Sequence, residues 1–529
     1  MKDKSALPIA LLGVAIGVLA TLIVGYIGKS NRKAASDRDW SKLNLVLQQV
    51  RENYVDEVNV PEVTEAAIVA ALSKLDPHSL YLPPQDLKEA ETDLAGNFDG
   101  IGIQFNVPND TAIVLEVIPG GPSEKAGLLP GDRILEVDGE VIAGVKFPQD
   151  SMVKRMKGPA GSKVAIKISR DHEPVTFDII RGKIPLHCVD ASFMIGDTTG
   201  YIRLTKFSAT TYQEVYEAAL NLASQGMKKL IMDIRENTGG YFNQALLLSN
   251  LFLAKGDNIV YLDGLHRKRE EYKADGNGIL QGMELVVIIN ENSASSSEIF
   301  AGAIQDNDRG VIVGRRSYGK GLVQEPLYFS DGSAVRISVA RYYTPSGRCI
   351  QRPYNGEEDY RMDLYKRYVD GEMFSQDSVK ADTSEVYHTV SGRKVYGGGG
   401  IIPDIYVPLD TTRATDFYVK CNRKALAVKY SSMIFDKYKT RLGAIDNYGD
   451  LEDFLESINI PAGFLSYAAR EGVYAQKGEW EASKPYMLPM LRSLVGRYSK
   501  LSQNAYYKLY LPVDDAVMVA LTAEMPPAE

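Results

Sequence analysis

From residue 185 onward, short apolar runs alternate with stretches of helical period, and that alternation restricts the fold more than any other feature of the chain. Residues 230–234 and 285–289 are near-continuous apolar runs of strand length, the pattern of strands buried on both faces. Residues 311–313 form a third, shorter run. Before the first run, Val215, Ala218, Ala219, Leu222 and Ala223 share one helical face that stops at Gly226. Thr211 and Glu214 stand ahead of that face at capping-box spacing. After it, a Gly239-Gly240 turn leads into a helical run reaching Lys255, and residues 298–304 repeat the helical period behind the second strand. Strand and helix in turn predict a mixed α/β core over residues 185–410. The polar stretch 354–396 reads as an insertion or flexible excursion within it.

A chain of 529 residues has room for roughly three or four domains. Residues 6–27 carry no charge and, at 1.5 Å per residue, reach about 33 Å, enough for a bilayer core of roughly 30 Å. Lys29, Arg32 and Lys33 intervene before the small residues Ala34, Ala35 and Ser36, so an uncleaved anchor fits better than a signal peptide. Residues 1–39 are therefore expected to be anchor and tether. Loop charges by themselves weakly favour a cytoplasmic body, although large domains are translocated largely regardless of them. Residues 40–95 have helical period over 40–54 and 63–75. Residues 96–184 switch to β-patterned runs (112–118, 133–137, 164–169, 175–180) separated by Gly, Pro and Asp turns. Residues 411–529 are Tyr-rich and helical in period, as over 425–439, which suits a packing or interaction domain. The net charge of −8 disfavours a general nucleic-acid binder. Cys188, Cys349 and Cys421 have no C-x-x-C spacing, so neither a disulfide framework nor a Cys-based zinc site is expected, and no metal is called for.

The chemistry is expected in two loops of the core. Ser293, Ser295, Ser296 and Ser297 lie between a buried strand and a helix, where a hydroxyl sits at the positive end of the helix dipole. Any of the four could equally be an N-cap. Lys320 lies between Gly319 and Gly321, and a lysine desolvated beside a serine can act as its base. Such a lysine must be buried and lack a close carboxylate in the active form, because at a pKa of about 10.4 almost none is neutral at pH 7. Gln324 offers an uncharged amide to orient the amine. The five histidines, His78, His172, His187, His266 and His388, are scattered away from these loops, which disfavours a Ser/His/Asp triad. Gly314-x-x-x-x-Gly319-Lys320 approaches a phosphate-binding loop, but Gly321 stands where a magnesium-binding hydroxyl is needed.

Taken in order, these residues resemble the carboxyl-terminal processing peptidases, or tail-specific proteases. The resemblance rests on Leu75-Asp76-Pro77-His78-Ser79, Gly100-Ile101-Gly102-Ile103, Ala126-Gly127-Leu128-x-x-Gly131-Asp132 and Asp233-x-Arg235-x-Asn237-x-Gly239-Gly240. It continues through Ser293-Ala294-Ser295-Ser296-Ser297-Glu298-Ile299, Tyr318-Gly319-Lys320-Gly321-x-Val323-Gln324, Tyr343-Thr344-Pro345-Ser346-Gly347-Arg348 and Gly400-Ile401-x-Pro403-Asp404. It implies Ser295 as nucleophile, Lys320 as base and Gln324 as its support, with an oxyanion hole from the Ser296 and Gly240 N–H groups. Two departures stand out: Ser296 replaces the family's usual Ala, and Thr238 its usual Pro. The fold implied is a crotonase/Clp-like α/β protease core with an inserted PDZ domain, a helical N-terminal region and a helical C-terminal extension. In the PDZ domain, Gly100, Ile101, Gly102 and Ile103 would bind a peptide carboxylate, so the partner is a protein or peptide with a free C-terminus.

The implied function is a membrane-anchored serine endopeptidase without cofactor. The catalytic part would lie on the periplasmic side of a bacterial inner membrane, and association into homo-oligomers is open. The alternative is a catalytically silent or gated PDZ scaffold at the membrane.

Overall fold

The computed structural model describes residues 40–108, 110–354, 360–380, 385–412 and 414–527. The anchor expected over 6–27 lies outside them. The chain divides into one unit ending at Tyr81 and a second running from Leu82 to Glu529.

The first unit is helical over residues 40–53 and Val60–Leu72. Asn59 caps the second helix by accepting the Glu62 N–H, and Pro61 fills its first turn, where a missing N–H costs nothing. Beyond the helix the Asp76 carboxylate accepts the N–H groups of His78 and Ser79 and the Ser79 hydroxyl, at 2.8, 2.9 and 2.6 Å. The Asp-Pro-His-Ser string is thus a side-chain-pinned turn.

The second unit is built on a six-stranded sheet. In chain order its elements are β1 (Val189–Ile195), β2 (Thr199–Leu204), α1 (Thr211–Ser224), β3 (Lys229–Asp233) and α2 (Phe242–Asn250). Then come β4 (Glu284–Ile289), α3 (Ser296–Asp306), β5 (Val311–Gly314) and β6 (Ile405–Tyr406). The strands lie side by side in chain order, antiparallel between β1 and β2 and parallel thereafter. Side chains alternate across the sheet. Leu230, Met232, Leu285, Val287 and Ile289 share one apolar cluster with Val215, Ala245, Phe300 and Ile304 of α1, α2 and α3. Ile231, Val286 and Ile288 face the other way.

That other face is covered by the end of the chain. In the C-terminal extension α4 (Leu426–Leu442), α5 (Ser502–Tyr510) and α6 (Asp515–Thr522) matter most here. Ala516, Val517 and Ala520 of α6 join Ile231, Val286 and Ile288 in a second apolar cluster. The Lys229 ammonium donates to the carbonyls of Leu521 and Ala523 at 3.1 and 3.2 Å. Both sides of the parallel strands are therefore buried, as their near-continuous apolar sequence requires.

Two details differ from the sequence reading. Thr210, not Thr211, is the N-cap of α1, and the Glu214 carboxylate accepts the N–H groups of Cys188 and Val189 at 2.9 and 3.0 Å. Glu214 has donors to satisfy at the head of β1, which outcompete a reciprocal cap. The stretch 354–396 is not a loose excursion where it is described. Arg367 and Glu372 are 4% and 3% exposed, and the Arg367 guanidinium donates to the carbonyls of Arg316 and Ser317. The polar composition there reflects buried ion pairing.

Residues 97–185 form a separate β-rich module whose main sheet begins with the strand Ile103–Asn106. It packs its own core of Ala112, Val114, Ile134, Ile166 and Ile168.

Candidate active site

The carboxyl ends of β3, β4 and β5 open into three loops on one side of the sheet, the usual location of sites in open α/β folds. The loops are stitched together. Ser293 Oγ donates to Ile234 O at 2.8 Å and Ser297 Oγ to Asn237 O at 2.8 Å. Ser296 Oγ donates to Gly240 O at 3.0 Å, and Tyr318 N to Ser293 O at 3.0 Å. Three of the four serines singled out in sequence are thus committed to main-chain carbonyls. Among the described residues, the Ser295 hydroxyl donates to no such carbonyl. Ser295 is half-buried, occupies the N-cap position of α3, and has φ 57° and ψ −115°, a backbone state a non-glycine residue adopts only under constraint.

The constraint is Glu298, three residues on and fully buried. One oxygen of its carboxylate accepts the Ser295 N–H at 2.9 Å and the Lys320 N–H at 2.8 Å. The two nitrogens can be no farther apart than the sum of those distances. The other oxygen accepts Ser317 Oγ at 2.5 Å and the Gly319 N–H at 2.7 Å. Burial raises the Glu298 carboxyl above its ordinary value, opposed by these hydrogen bonds. From the other side the buried Tyr342 hydroxyl contacts the carbonyl oxygens of both residues, at 3.1 Å for Ser295 and more closely for Lys320. Burial, then the Glu298 charge, keeps this phenol well above its usual range, and so protonated. Ser295 and Lys320 are therefore held together by their main chains, N–H groups on one acid and C=O groups at one phenol. Sequence reasoning missed both clamps, although Ser295-x-x-Glu298 has capping-box spacing and could have flagged the acid.

Lys320 is only half-buried, short of the burial asked of a neutral lysine, and the Glu298 carboxylate accepts its main-chain N–H. A strand, Leu322–Tyr328, follows it where a phosphate-binding loop would open a helix. Gln324 lies on that strand, half-buried, just past an irregularity in its pairing with Ala334–Tyr343.

Gly240 forms a parallel bridge with Phe207 through its neighbours, Gly239 O accepting Phe207 N and Tyr241 N donating to Phe207 O. Its own N–H then points away from Phe207. A Cβ on Gly239, at φ +96°, would lie 2.8 Å from Ser295 Cβ and 2.9 Å from Ser296 N, so only glycine fits. Ser296 N–H opens α3, a position without an intrahelical acceptor. The two amides expected to hold an oxyanion are thus on abutting loops, joined by the Ser296 hydroxyl.

In the β-rich module Gly100 ends one strand and Ile103 starts the next. The carbonyls of Ile101 and Gly102 accept Ser123 N and Ile118 N, both at 3.0 Å. Their N–H groups meet no main-chain acceptor among the described residues. Ile103–Asn106 is the end strand of its sheet and so, among the described residues, has one unpaired edge.

Comparison with known proteins places two family models along the chain. The model of peptidase family S41 matches residues 198–360, and that of the PDZ domain residues 100–180. The carboxy-terminal processing protease CtpA of Bacillus subtilis is 31% identical over 348 residues, 65% of this chain and 74% of that protein. The carboxy-terminal-processing protease of Bartonella bacilliformis is 33% identical over 331 residues, 61% of this chain and 75% of that protein. Among solved structures, the photosystem II D1 C-terminal processing protease is 27% identical, with 68% of this chain and 91% of that one covered and a TM-score of 0.36.

Proposed function

The chain belongs to the carboxy-terminal processing proteases of peptidase family S41 and carries a PDZ domain, and from that premise we propose how it works. It is a serine-type peptidase. In our reading the PDZ domain takes a protein's C-terminal carboxylate on the N–H groups of the Gly100–Ile103 loop, and the tail pairs as a strand with the free edge of Ile103–Asn106. Neutral Lys320 removes the Ser295 proton as Ser295 Oγ attacks a peptide carbonyl upstream of the tail. The Ser296 and Gly240 N–H groups take the negative charge of the tetrahedral intermediate, and Gln324 orients the Lys320 amine. The Lys320 ammonium then protonates the leaving amine, and water, deprotonated by the same lysine, releases the acyl group from Ser295. The observation that carries this reading is the double clamp, Glu298 on the N–H groups and Tyr342 at the carbonyls of both Ser295 and Lys320.

The uncharged run 6–27 would anchor the enzyme in a bacterial inner membrane, with the catalytic part on the periplasmic side. Intact-mass spectrometry of an apolar-tailed test protein, incubated with the purified chain or its Ser295→Ala variant, tests the reaction. Shortening near the tail by the parent alone is expected. Equal shortening by both would discard Ser295 as nucleophile, and none by either would move the reading to a gated enzyme or a scaffold.

A further inference from the structure

Behind the oxyanion loop lies a cluster of four charges whose balance depends on the end of the chain. Asp233, fully buried at the end of β3, accepts Arg203 Nη1 at 2.5 Å, the Tyr201 hydroxyl at 2.8 Å and the Arg235 Nη2 at 2.6 Å. One carboxylate thus faces two guanidinium groups. The second carboxylate comes from Asp514, 279 residues downstream of Arg235, which accepts Arg235 Nη1 at 3.0 Å and Nη2 at 2.7 Å in a bidentate pair. With Asp514 the cluster is neutral; without it a cation is left over, with side chains only 20% exposed at Arg235 and 9% at Arg203. An uncompensated charge of that kind is costly and drives rearrangement.

What would rearrange is the segment leading to Gly240. Glu236, next to Arg235, has φ 58° and needs its neighbours held. Asn237, fully buried, accepts the Gly239 N–H on its side chain at 2.9 Å and the Ala294 N–H and Ser297 Oγ on its carbonyl. It therefore fixes the Gly-Gly turn against the Ser295 turn, and Arg235 stands two residues before it. Asp514 is itself firmly placed: it caps α6, accepting Val517 N at 3.2 Å, and α6 is packed on the sheet.

We propose that Asp514 is a positioning residue of the peptidase site, holding Arg235 and through it the loop that presents the Gly240 N–H to the oxyanion. The C-terminal extension, outside the 198–360 span of the family model, is then a working part of the site. The inference rests on the Ser295/Lys320 reading given above.

The test compares the full chain with Asp514→Ala, Asp514→Asn and Val517→Ala, the last loosening α6 without touching Arg235. Hydrogen exchange is followed by mass spectrometry over residues 234–241, and kcat and KM on a tailed substrate are measured. Asp514→Ala is expected to speed exchange over 234–241 and to lower kcat about tenfold or more with KM within about twofold, the signature of lost transition-state stabilisation. Asp514→Asn, which keeps its acceptor but not its charge, should fall between and serves if the alanine variant does not fold. Val517→Ala should lower the melting temperature yet leave kcat within about twofold of the parent. Unchanged exchange over 234–241, or equal loss of kcat in Asp514→Asn and Val517→Ala, would overturn the proposal. A parent with no Ser295-dependent cleavage would instead defeat the functional reading, and the exchange data would still decide whether Asp514 holds the loop.

Discussion

The C-terminal extension meets the rest of its unit in two joints made of different materials. Behind the active site it brings Asp514 to Arg235 and buries Ala516, Val517 and Ala520 against the sheet. Against the PDZ domain it offers α4, where Asp436 pairs with Arg133 at 2.5 Å and Lys439 with Asp171 at 2.5 Å. All four of those side chains are more than a third exposed, and a cleft of about 530 Å³ lies beside them, lined by Leu115, Asp132, Phe435 and Lys439 among others. Buried charges that lose a partner keep their desolvation cost, whereas exposed ones are solvated again at once. The ion pairs of the first joint should therefore hold more firmly than those of the second, where Leu115 packs on the extension's apolar cluster beside them. That suits a fixed catalytic sheet beside a domain that takes a protein tail.

The largest effect should come from breaking the first joint at its centre. Asp233→Ala strands Arg203 and Arg235 together, and removing one partner of a buried ion pair costs about 3–5 kcal/mol. Urea unfolding should show that loss; a change under about 1 kcal/mol, the worth of an exposed pair, would erase the distinction between the joints.

A second contrast separates the two buried carboxylates of the site. Two arginines hold Asp233 well below the usual carboxylate range despite its burial, while Glu298 has only N–H and hydroxyl donors, and burial moves it up. The signs of their pH effects are therefore opposite. The Asp233 contribution is complete above its unfolded value near 3.9 and is lost only as pH falls through its lower folded value. The folded chain protonates Glu298 at a higher pH than the unfolded chain does, so ionised Glu298 costs stability and acidification relieves that cost. As pH falls from neutral toward the ordinary glutamate value of about 4.3, the parent should gain urea resistance relative to Glu298→Gln, which has no proton to take up. The same variant sets an amide NH₂ among donors that need an acceptor, so kcat should fall about tenfold or more, with a smaller loss of stability than in Asp233→Ala. A parent-minus-variant difference that shrank on acidification would reverse the assignment.

Much of this was written locally. The strands Lys229–Asp233 and Glu284–Ile289, the Gly-Gly turn and the order of the loops follow from patterns a few residues long, whereas Ser295 and Gly240 are singled out within those loops only by the family resemblance. Local patterns could not supply what joins segments distant in sequence. Tyr342 is one aromatic residue of an alternating strand until its hydroxyl is seen at Ser295 O and Lys320 O. Asp514 reads as an ordinary helix cap, and it is one; its second role depends on Arg235 lying under it. The capping-box reading of Thr211 failed for a related reason, since Glu214 serves two N–H groups of another element.

The smallest predicted effect tests the second joint. Arg133→Ala removes an exposed pair with Asp436 and should cost less than about 1 kcal/mol in global stability. Its consequence should be local. From 0.15 to 1 M salt the screening length falls from about 8 to about 3 Å, which weakens exposed pairs and leaves buried ones nearly untouched. Burial of Asp171 is slight, and the Lys439 ammonium beside it lowers its pKa, so this pair too is open to screening. Hydrogen exchange should therefore quicken with salt over residues 129–133 and 435–443, more so in Arg133→Ala, and stay constant over residues 514–522. Equal acceleration at both joints would mean that they are held alike, and the PDZ domain would then be no freer to move than the sheet.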